Sequence, residues 1–300
     1  MIPFVRLDDV AYGRCDAVSP LIRRVIADNP GPFTYTGTGT YIIGRDEPGA
    51  RLAVIDPGPQ DDRHLAALLE AVRGQTVSHV LVTHTHRDHA PLARPFAEAT
   101  GAVVLAAPPS RTTDHEGAPV DEDDDADFYP DRLLADGDRI GGDGWTLEAL
   151  ATPGHASNHL CFALLEENAL FSGDHVMGWS TTIVAPPDGD MTVYMDSLDR
   201  VIARRFTTLW PTHGAPVTEP GPFLDAYRAH RRERERQILA RLTAGGQTIA
   251  DLVPTLYASV DSRLWPAASL SVHAHLIALV RRGLVLAEPE ATLQALYRAV

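Results

Sequence analysis

The sequence predicts an α/β protein in which helices pack on sheets, followed by a small domain of winged-helix type. Three observations support this fold class. Short apolar runs alternate with helical stretches through the first part of the chain, TEPGP interrupts that pattern near residue 220, and three helical stretches and a hairpin follow. With 300 residues and 44% hydrophobic content, the chain can bury one large core and one small one.

The individual elements are predicted from periodicity and from turn residues. Strands are expected at 51–56, 77–83, 102–107, 145–150, 159–165 and 169–174. Helices are expected at 62–73, 91–100 and 192–205, and Pro91 suits the first turn of the second of these.

The chain beyond the TEPGP stretch has the element order of a winged helix. Helices are predicted at 223–242, 248–259 and 267–282, and a two-stranded hairpin is predicted around 288–290. We therefore predict a catalytic domain over 1–220 and a winged-helix-like domain over 221–300.

The charge of the chain is negative and uneven. Its 26 basic residues are all arginine, so Schiff-base and lysine-base chemistry are excluded. The net charge of −14 divides into about +3 from Asp225 onward and about −17 before it, which disfavours non-specific binding of polyanions. The acidic stretch 108–130 is expected to be a solvated loop, with a place at the mouth of the active site as the alternative.

Cysteine content and hydropathy limit the class of protein further. Cys15 and Cys161 lie far apart in the sequence and are expected to be buried free thiols. No segment offers the roughly 18 apolar residues of a membrane span, and the N-terminal residues contain acids, so we predict a cytoplasmic, unprocessed protein without a membrane partner. Any metal would take nitrogen and oxygen ligands, because no cysteine lies near the histidine cluster.

A group of histidines and aspartates follows the ends of predicted strands. The segment VLVTHTHRDHA has four such residues after an apolar strand, and three later motifs, TPGH, SGDH and PTHG, each add one beside a glycine. The candidate metal ligands are His84, His86, Asp88, His89, His155, Asp174 and His213. Seven imidazole and carboxylate groups suggest two divalent ions per chain, zinc first, with manganese or iron as alternatives.

This pattern resembles the metallo-β-lactamase superfamily, whose hallmark is HxHxDH followed by a separate His, an Asp and a last His. The resemblance implies an αββα sandwich. It also implies one metal on His84, His86 and His155, a second on Asp88, His89 and His213, and Asp174 bridging the two ions. Asp56, in VIDPG, matches a family position that supports a ligand from behind.

A closer likeness, over nearly the whole chain, is to the lactamase-beta-like protein 2 group. It is carried by NPGPFTYTGTGTYIIG, THTHRDH, the PGH and SGD motifs and the winged-helix tail. That group includes single-strand endoribonucleases in animals and fungal thioesterases that act on carrier-protein-bound acyl chains. Ala90 and Pro91 stand where the group often has glycine or serine, which affects no ligand.

The expected function is hydrolysis by a metal-bridging hydroxide, with Asp88 or Asp174 orienting the attacking water. A small ester, thioester or related acyl compound is the expected substrate, because the loop MGWSTTIVAPPDGD after Asp174 offers apolar and hydroxyl groups and no arginine. The alternative is a single-strand-specific endoribonuclease, although the charge disfavours RNA. His159, four residues after His155, could contact substrate or protonate the leaving group, or could make a structural hydrogen bond.

A non-enzymatic winged-helix protein that binds nucleic acid is the second alternative. The helix at 267–282 would be its recognition helix, but the only basic residues there are Arg281 and Arg282, so no DNA binding is expected. A glyoxalase II function is disfavoured by the absence of lysine, and a flavodiiron function by the absence of a flavodoxin domain. Nothing in the sequence points to an oligomeric state.

The other histidines are predicted to have no ligand role. His64 and His230 lie in charged helices and are expected to be solvated, and His273 and His275 do not share a helix face. His79 precedes a strand and His115 lies in the acidic stretch. His175 is expected to support the site from behind Asp174.

Overall fold

The computed structural model describes residues 1–110, 125 and 127–300. Most of the acidic stretch predicted to be a loop, including His115, lies outside the described residues. The described chain forms two large sheets and one hairpin, with helices against them.

The first sheet has seven strands in sequential order, β1 to β7. Their bounds are Cys15–Ala17, Ile22–Ile26, Gly39–Ile43, Arg51–Ile55, Thr76–Leu81, Val103–Ala106 and Arg132–Leu133. The strands β1 to β4 pair antiparallel, whereas β4 to β7 pair parallel. Strands β4, β5 and β6 are the ones predicted from their apolar runs.

The second sheet has five strands in the order β12-β11-β10-β9-β8. Their bounds, from β8 to β12, are Arg139–Gly142, Trp145–Ala151, Leu160–Leu164, Ala169–Gly173 and Thr208–Pro211. Strands β8 to β11 pair antiparallel and β11 pairs parallel with β12. As a result β9, β11 and β12 run in the same direction, and their carboxyl ends lie at one edge.

The two sheets face each other and are covered by helices on their outer sides. Alternate residues of the strands point to opposite faces, so that Leu81 of β5 packs between the sheets with Phe162 of β10, while Val80 packs outward. The helices Asp62–Ala71 (α1) and Ala93–Thr100 (α2) cover the first sheet, and Met191–Arg204 (α3) covers the second. This helix–sheet–sheet–helix order confirms the predicted αββα class.

The C-terminal part contains three helices and the two-stranded hairpin. The helices are Pro220–Thr243 (α4), Ile249–Leu256 (α5) and Trp265–Arg281 (α6), and the hairpin strands are Val285–Glu288 (β13) and Leu296–Ala299 (β14). They share a core of their own that includes Ile238, Leu252 and Leu276. The domain boundary at 220 stays a prediction, because α4 begins there but packs on both parts of the chain.

Helix ends are set by capping side chains. Asp61 accepts hydrogen bonds from the first turn of α1, Asp190 does so for α3, and Thr248 and Asp251 form a reciprocal capping box at α5. Within the described residues, no helix is both long enough and apolar enough to cross a bilayer.

Candidate metal centre

The predicted ligand residues lie just beyond the carboxyl ends of four strands. The loop after β5 carries the first four, and the loops after β9, β11 and β12 carry one each. Two glycines permit the close packing of these loops. Gly154 has a φ of +134°, and a Cβ there would lie 2.3 Å from the Cα of Tyr194 on α3. Gly173 has a φ of +50°, and a Cβ there would lie 2.6 Å from Nε2 of His159.

The first group of ligand atoms belongs to His84, His86 and His155. Each offers one ring nitrogen, and these nitrogens lie within 4.8 Å of one another. Nε2 of His84 is 2.8 Å from Nδ1 of His86. Three buried imidazoles with their nitrogens turned to one point are the usual arrangement for a zinc or iron ligand set.

The second group belongs to Asp88, His89 and His213. Oδ2 of Asp88 is 3.0 Å from Nε2 of His213 and 3.5 Å from Nε2 of His89. All three ligand atoms lie within 4.8 Å of one another. The structure therefore brings together the residues that the sequence assigned to a second ion.

Asp174 lies between the two groups. Its Oδ1 is 3.5 Å from Nε2 of His213 and 3.6 Å from Nε2 of His89. Its Oδ2 faces the other way, 4.0 Å from Nε2 of His155. One carboxylate oxygen thus faces each group, which is the placement that a bridging ligand needs.

Several ligand atoms have no hydrogen-bond partner in the part of the chain that the structure describes. The buried atoms that lack a hydrogen-bond partner among the described residues include Nε2 of His89, His155 and His213 and Oδ1 of Asp88 and Asp174. Leaving five such polar atoms buried and unpaired in one place is costly. Divalent cations would satisfy all of them, so the residues fit the metals that the family binds.

The opposite nitrogens of the histidine rings are held by protein oxygens. Nδ1 of His155 is 2.7 Å from the carbonyl oxygen of Ile183, and Nδ1 of His213 is 3.2 Å from that of Gly37. Donation of Nδ1–H to a carbonyl leaves Nε2 as a free lone pair and fixes the direction of the ring.

Asp56 anchors the centre from behind, as the resemblance implied. Its carboxylate accepts hydrogen bonds from the amide and the hydroxyl of Thr83, at 2.8 Å each, and from the hydroxyl of Thr212 at 3.0 Å. Its Oδ2 also lies 2.9 Å from Nδ1 of His89. Asp56 has a φ of +48°, a conformation that Asp and Asn adopt more readily than most residues.

The pKa values show that the centre attracts positive charge. Burial alone would lower the pKa of His89, but the carboxylates of Asp88, Asp174 and Asp56 raise it well above its ordinary value. Burial alone would raise the pKa of Asp88, but His89 and His213 lower it to about 2. The pKa of Asp174 is likewise held well below its usual range by His213 and His89 against the effect of burial. Both ligand carboxylates are therefore ionised at neutral pH.

His159 is buried beside the centre, and both of its ring nitrogens are in use. Nδ1 lies 2.9 Å from the hydroxyl oxygen of Thr152, and Nε2 accepts a hydrogen bond of 3.1 Å from the backbone N–H of Asp174. Burial is the main cause that lowers its pKa well below the ordinary value. This geometry favours the structural alternative for His159 over contact with substrate.

Two further histidines differ in their surroundings from what the sequence suggested. His64 was expected to be solvated, but only 3% of it is exposed and its Nε2 lies 2.9 Å from the hydroxyl of Thr40. The prediction was wrong because the His64 side of α1 faces the sheet. His175 is fully buried, with its ring 4.9 Å from that of Tyr194, and neither of its nitrogens has a hydrogen-bond partner among the described residues.

Sequence reasoning missed an arginine near the site. Arg231 on α4 is buried and lines a cleft beside the loop 179–183, where the loop sequence alone had predicted no arginine. It lies in HRRERERQ, whose alternating charges indicated a solvated helix. No local signal separates Arg231 from its neighbours, because its burial depends on how α4 packs on the rest of the chain.

The fold and the site together are those of the metallo-β-lactamase superfamily. Residues 38–213 match the family model for the metallo-beta-lactamase superfamily, and residues 248–292 match that for the beta-lactamase associated winged helix domain. The chain therefore belongs to the metallo-beta-lactamase superfamily, as a metal-dependent hydrolase with a C-terminal winged helix.

Individual relatives resemble the chain over most of its length. It is 30% identical to the beta-lactamase-like protein 2 homolog of Caenorhabditis elegans over 279 residues, which are 90% of this chain and 88% of that protein. It is 34% identical to the atrochrysone carboxyl ACP thioesterase of Claviceps purpurea over 254 residues, 81% of this chain and 74% of that one.

A solved structure shares the complete fold. A beta-lactamase domain protein from Burkholderia ambifaria superposes with a TM-score of 0.80 at 22% identity, covering 100% of this chain and 97% of the other. Because that identity is low, this likeness supports the fold alone.

Proposed function

We propose that this chain hydrolyses a small acyl thioester or ester with two divalent ions, zinc being the first candidate, held by the seven predicted ligands. The observation that carries the proposal is the position of Asp174, whose two oxygens face two separate groups of ligand atoms. The groups proposed for the two ions are His84, His86 and His155, and Asp88, His89 and His213.

The residues of the centre would each have a distinct task. Bound divalent ions supply Lewis acidity, which makes water a nucleophile near neutral pH and polarises the scissile carbonyl. Asp88 and Asp174 remain ionised and each has a buried oxygen without a hydrogen-bond partner among the described residues, so either can accept a proton or orient the attacking water. His159 holds the backbone of Asp174 in place and is proposed to position rather than to transfer protons.

Three observations support an acyl substrate. A cleft of about 160 Å³ lies beside the loop 179–183, which follows Asp174, and is lined mostly by apolar and hydroxyl side chains. The charge of about −17 before Asp225 would repel a polyanion such as RNA. A relative with 34% identity is named as a thioesterase.

The number of metals can be measured directly. Elemental analysis after reconstitution with zinc or manganese should give about two ions per chain, because both groups of ligands are complete. The Asp174→Ala variant should weaken both sites, whereas His213→Ala should mainly empty the second. One ion or fewer in the wild type, with the fold intact by circular dichroism, would contradict the dinuclear proposal.

The substrate class is tested by comparing kcat/KM for an acyl thioester, an aryl ester and a single-stranded oligoribonucleotide. The His86→Ala variant serves as the blank, because it removes a ligand and leaves the cleft intact. We expect the thioester or ester to be turned over faster, and any RNA cleavage to be suppressed by modest salt. RNA cleavage about tenfold faster than thioester hydrolysis would establish the endoribonuclease alternative instead.

The C-terminal domain, proposed as 221–300, is expected to bind no DNA. The two basic residues at the end of α6 already pair with carboxylates: Arg281, its last residue, with Asp190, and Arg282, which follows it, with Glu235. A gel-shift assay with random duplex at low salt should show no tight complex. A sub-micromolar, salt-sensitive complex would overturn this expectation.

A further inference from the structure

Arg231 is a buried cation that has no anionic partner among the described residues. Only 4% of the residue is exposed, and no carboxylate among the described residues forms an ion pair with it. One of its terminal nitrogens, Nη2, donates to the carbonyl oxygen of Thr182. Its Nε is buried and has no hydrogen-bond partner in the described part of the chain.

The surroundings of Arg231 do not compensate its charge. The guanidinium carbon lies 5.2 Å from the ring centre of Tyr194 and 6.0 Å from that of Tyr227, which are weak partners for a full charge. Burial chiefly, and the charge of Arg231 in addition, lower the pKa of the neighbouring His275 to about 3, so it is neutral near pH 7. An arginine that is always charged is costly to bury in this way unless an anion joins it.

Arg231 lies on the wall of the cleft of about 160 Å³. The loop of Trp179 and Ile183 forms one side of this cleft, and Tyr257 and Leu264 of the C-terminal domain form the other. The cleft is therefore closed only when both domains are present.

The cleft adjoins the metal centre through two hydrogen bonds. The carbonyl oxygen of Ile183 accepts from His155, and the hydroxyl of Thr182 donates to the backbone oxygen of Asp174 at 2.8 Å. The loop residues Thr182 and Ile183 therefore border the cleft and also contact two of the candidate ligands.

We propose that Arg231 binds a carboxylate on the acyl part of the substrate, so that the chain prefers thioesters or esters of dicarboxylic acids. This inference rests on the proposed acyl hydrolysis. A guanidinium offers N–H groups in a planar fork that matches a carboxylate, and Nε–H of Arg231 has no hydrogen-bond partner among the described residues. The apolar side chains that share the wall favour a hydrocarbon chain between the carboxylate and the thioester. A strand of RNA would need a row of cations, and Arg231 is the only one on this wall among the described residues.

The test compares two matched substrates on the metal-loaded full chain. One is a thioester of a straight-chain dicarboxylic acid with N-acetylcysteamine, and the other has a terminal carboxamide in place of the free carboxylate. We expect kcat/KM of the wild type to be about tenfold or more higher for the carboxylate. In Arg231→Gln the ratio of the two values should fall to near one, whatever happens to the absolute rates.

Arg228→Gln is the matched control, because it removes the same charge from the same helix. Arg228 pairs with Asp199 and Asp225, and neither Arg228 nor these partners line the cleft. Its ratio should remain that of the wild type. A ratio near one in the wild type, or an equal fall in both variants, would overturn the proposal.

A binding measurement needs neither catalysis nor a folded variant. Uncleavable thioether analogues of the two compounds are titrated into wild-type protein, and the fluorescence of Trp179 in the cleft reports binding. The carboxylate should bind about tenfold more tightly, and salt should reduce the difference.

Equal binding would overturn the assignment of Arg231, while loss of hydrolysis of both thioesters would overturn only the proposed function. If an oligoribonucleotide displaces the carboxylate analogue from the wild type and is cleaved faster than either thioester, the arginine serves phosphate and the carboxylate proposal is wrong.

Discussion

At the scale of single residues, Asp56 links most parts of the metal centre. Its carboxylate joins the start of the first ligand loop, through Thr83, to the loop of His213, through Thr212, and it also orients His89. Asp56 is fully buried and is not itself a candidate ligand. Through these hydrogen bonds it fixes the directions of ligands on two loops.

The Asp56→Asn substitution should loosen the second metal. Asn keeps the size of the side chain and tolerates the left-handed backbone, but its amide cannot accept all four hydrogen bonds. We expect metal affinity to fall about 10- to 100-fold, as measured by competition with a chromogenic chelator. Asp61→Asn, which affects only the cap of α1, is the control and should leave metal affinity unchanged. Unchanged affinity in Asp56→Asn would show that the anchor is dispensable.

The His159→Gln substitution distinguishes positioning from proton transfer. If His159 only holds the backbone of Asp174, the variant should lose activity through weaker metal binding, and excess metal should restore most of it. The pH profile of kcat/KM should keep both of its limbs. Loss of one limb at saturating metal would instead identify His159 as the residue that protonates the leaving group.

At the scale of elements, α4 connects the two parts of the molecule. Its first half contributes Phe223 and Tyr227 to the core around the second sheet, and its second half contributes Ile238 and Leu242 to the C-terminal core. A helix shared in this way fixes the C-terminal domain against the loop that borders the metal centre.

The Tyr227→Phe substitution should loosen that loop. The hydroxyl of Tyr227 accepts from the backbone N–H of Thr182 and donates to the carbonyl oxygen of Ser180, and both partners lie in the loop 179–183. We expect the free energy of unfolding to fall by about 1–3 kcal/mol, since a buried amide loses its acceptor. Urea denaturation measures the change, and Tyr12→Phe, at an exposed position, should show none. A stability equal to that of the wild type would show that the hydroxyl does not hold the loop.

At the scale of the whole molecule, the buried histidines should make stability depend on pH. Burial lowers the pKa of His275 to about 3 and that of His64 to about 4. In the unfolded chain both return to about 6.5, so on acidification below that value the unfolded chain takes up protons that the folded chain does not. The stabilisation is complete above about pH 6.5 and is lost as the pH falls toward the folded pKa values.

Urea unfolding at about pH 7, 6 and 5 should therefore show a falling free energy of unfolding, with at most about 1 kcal/mol per pH unit from each histidine. The His275→Leu variant should have a smaller slope, and it should be no less stable at neutral pH, because neither nitrogen of His275 has a hydrogen-bond partner among the described residues. The same slope in His275→Leu and in the wild type would show that His275 does not contribute.

The sequence by itself determined the α/β class, the winged-helix tail and the places of the seven candidate ligands, and its resemblance to the metallo-β-lactamase superfamily implied the αββα sandwich. These features depend on local patterns: apolar runs define strands, and a histidine or aspartate directly after such a run lies at a sheet edge. The strands not predicted are β1, β2, β3, β7, β8 and β12. The short strands β1, β7 and β8 lack a continuous apolar run, and two arginines interrupt the apolar residues of β2.

Only the tertiary structure decided which polar groups are buried and which groups they contact. The orientation of His159 depends on a backbone amide fifteen positions away, and the burial of His64 depends on the packing of α1 against the first sheet. Arg231 belongs to a helix whose charge pattern is that of a solvated surface, yet it lies in a cleft because α4 packs on the second sheet and on the C-terminal core together. Burial is a property of contacts between distant segments, and neither composition nor spacing along the chain encodes which segments will meet.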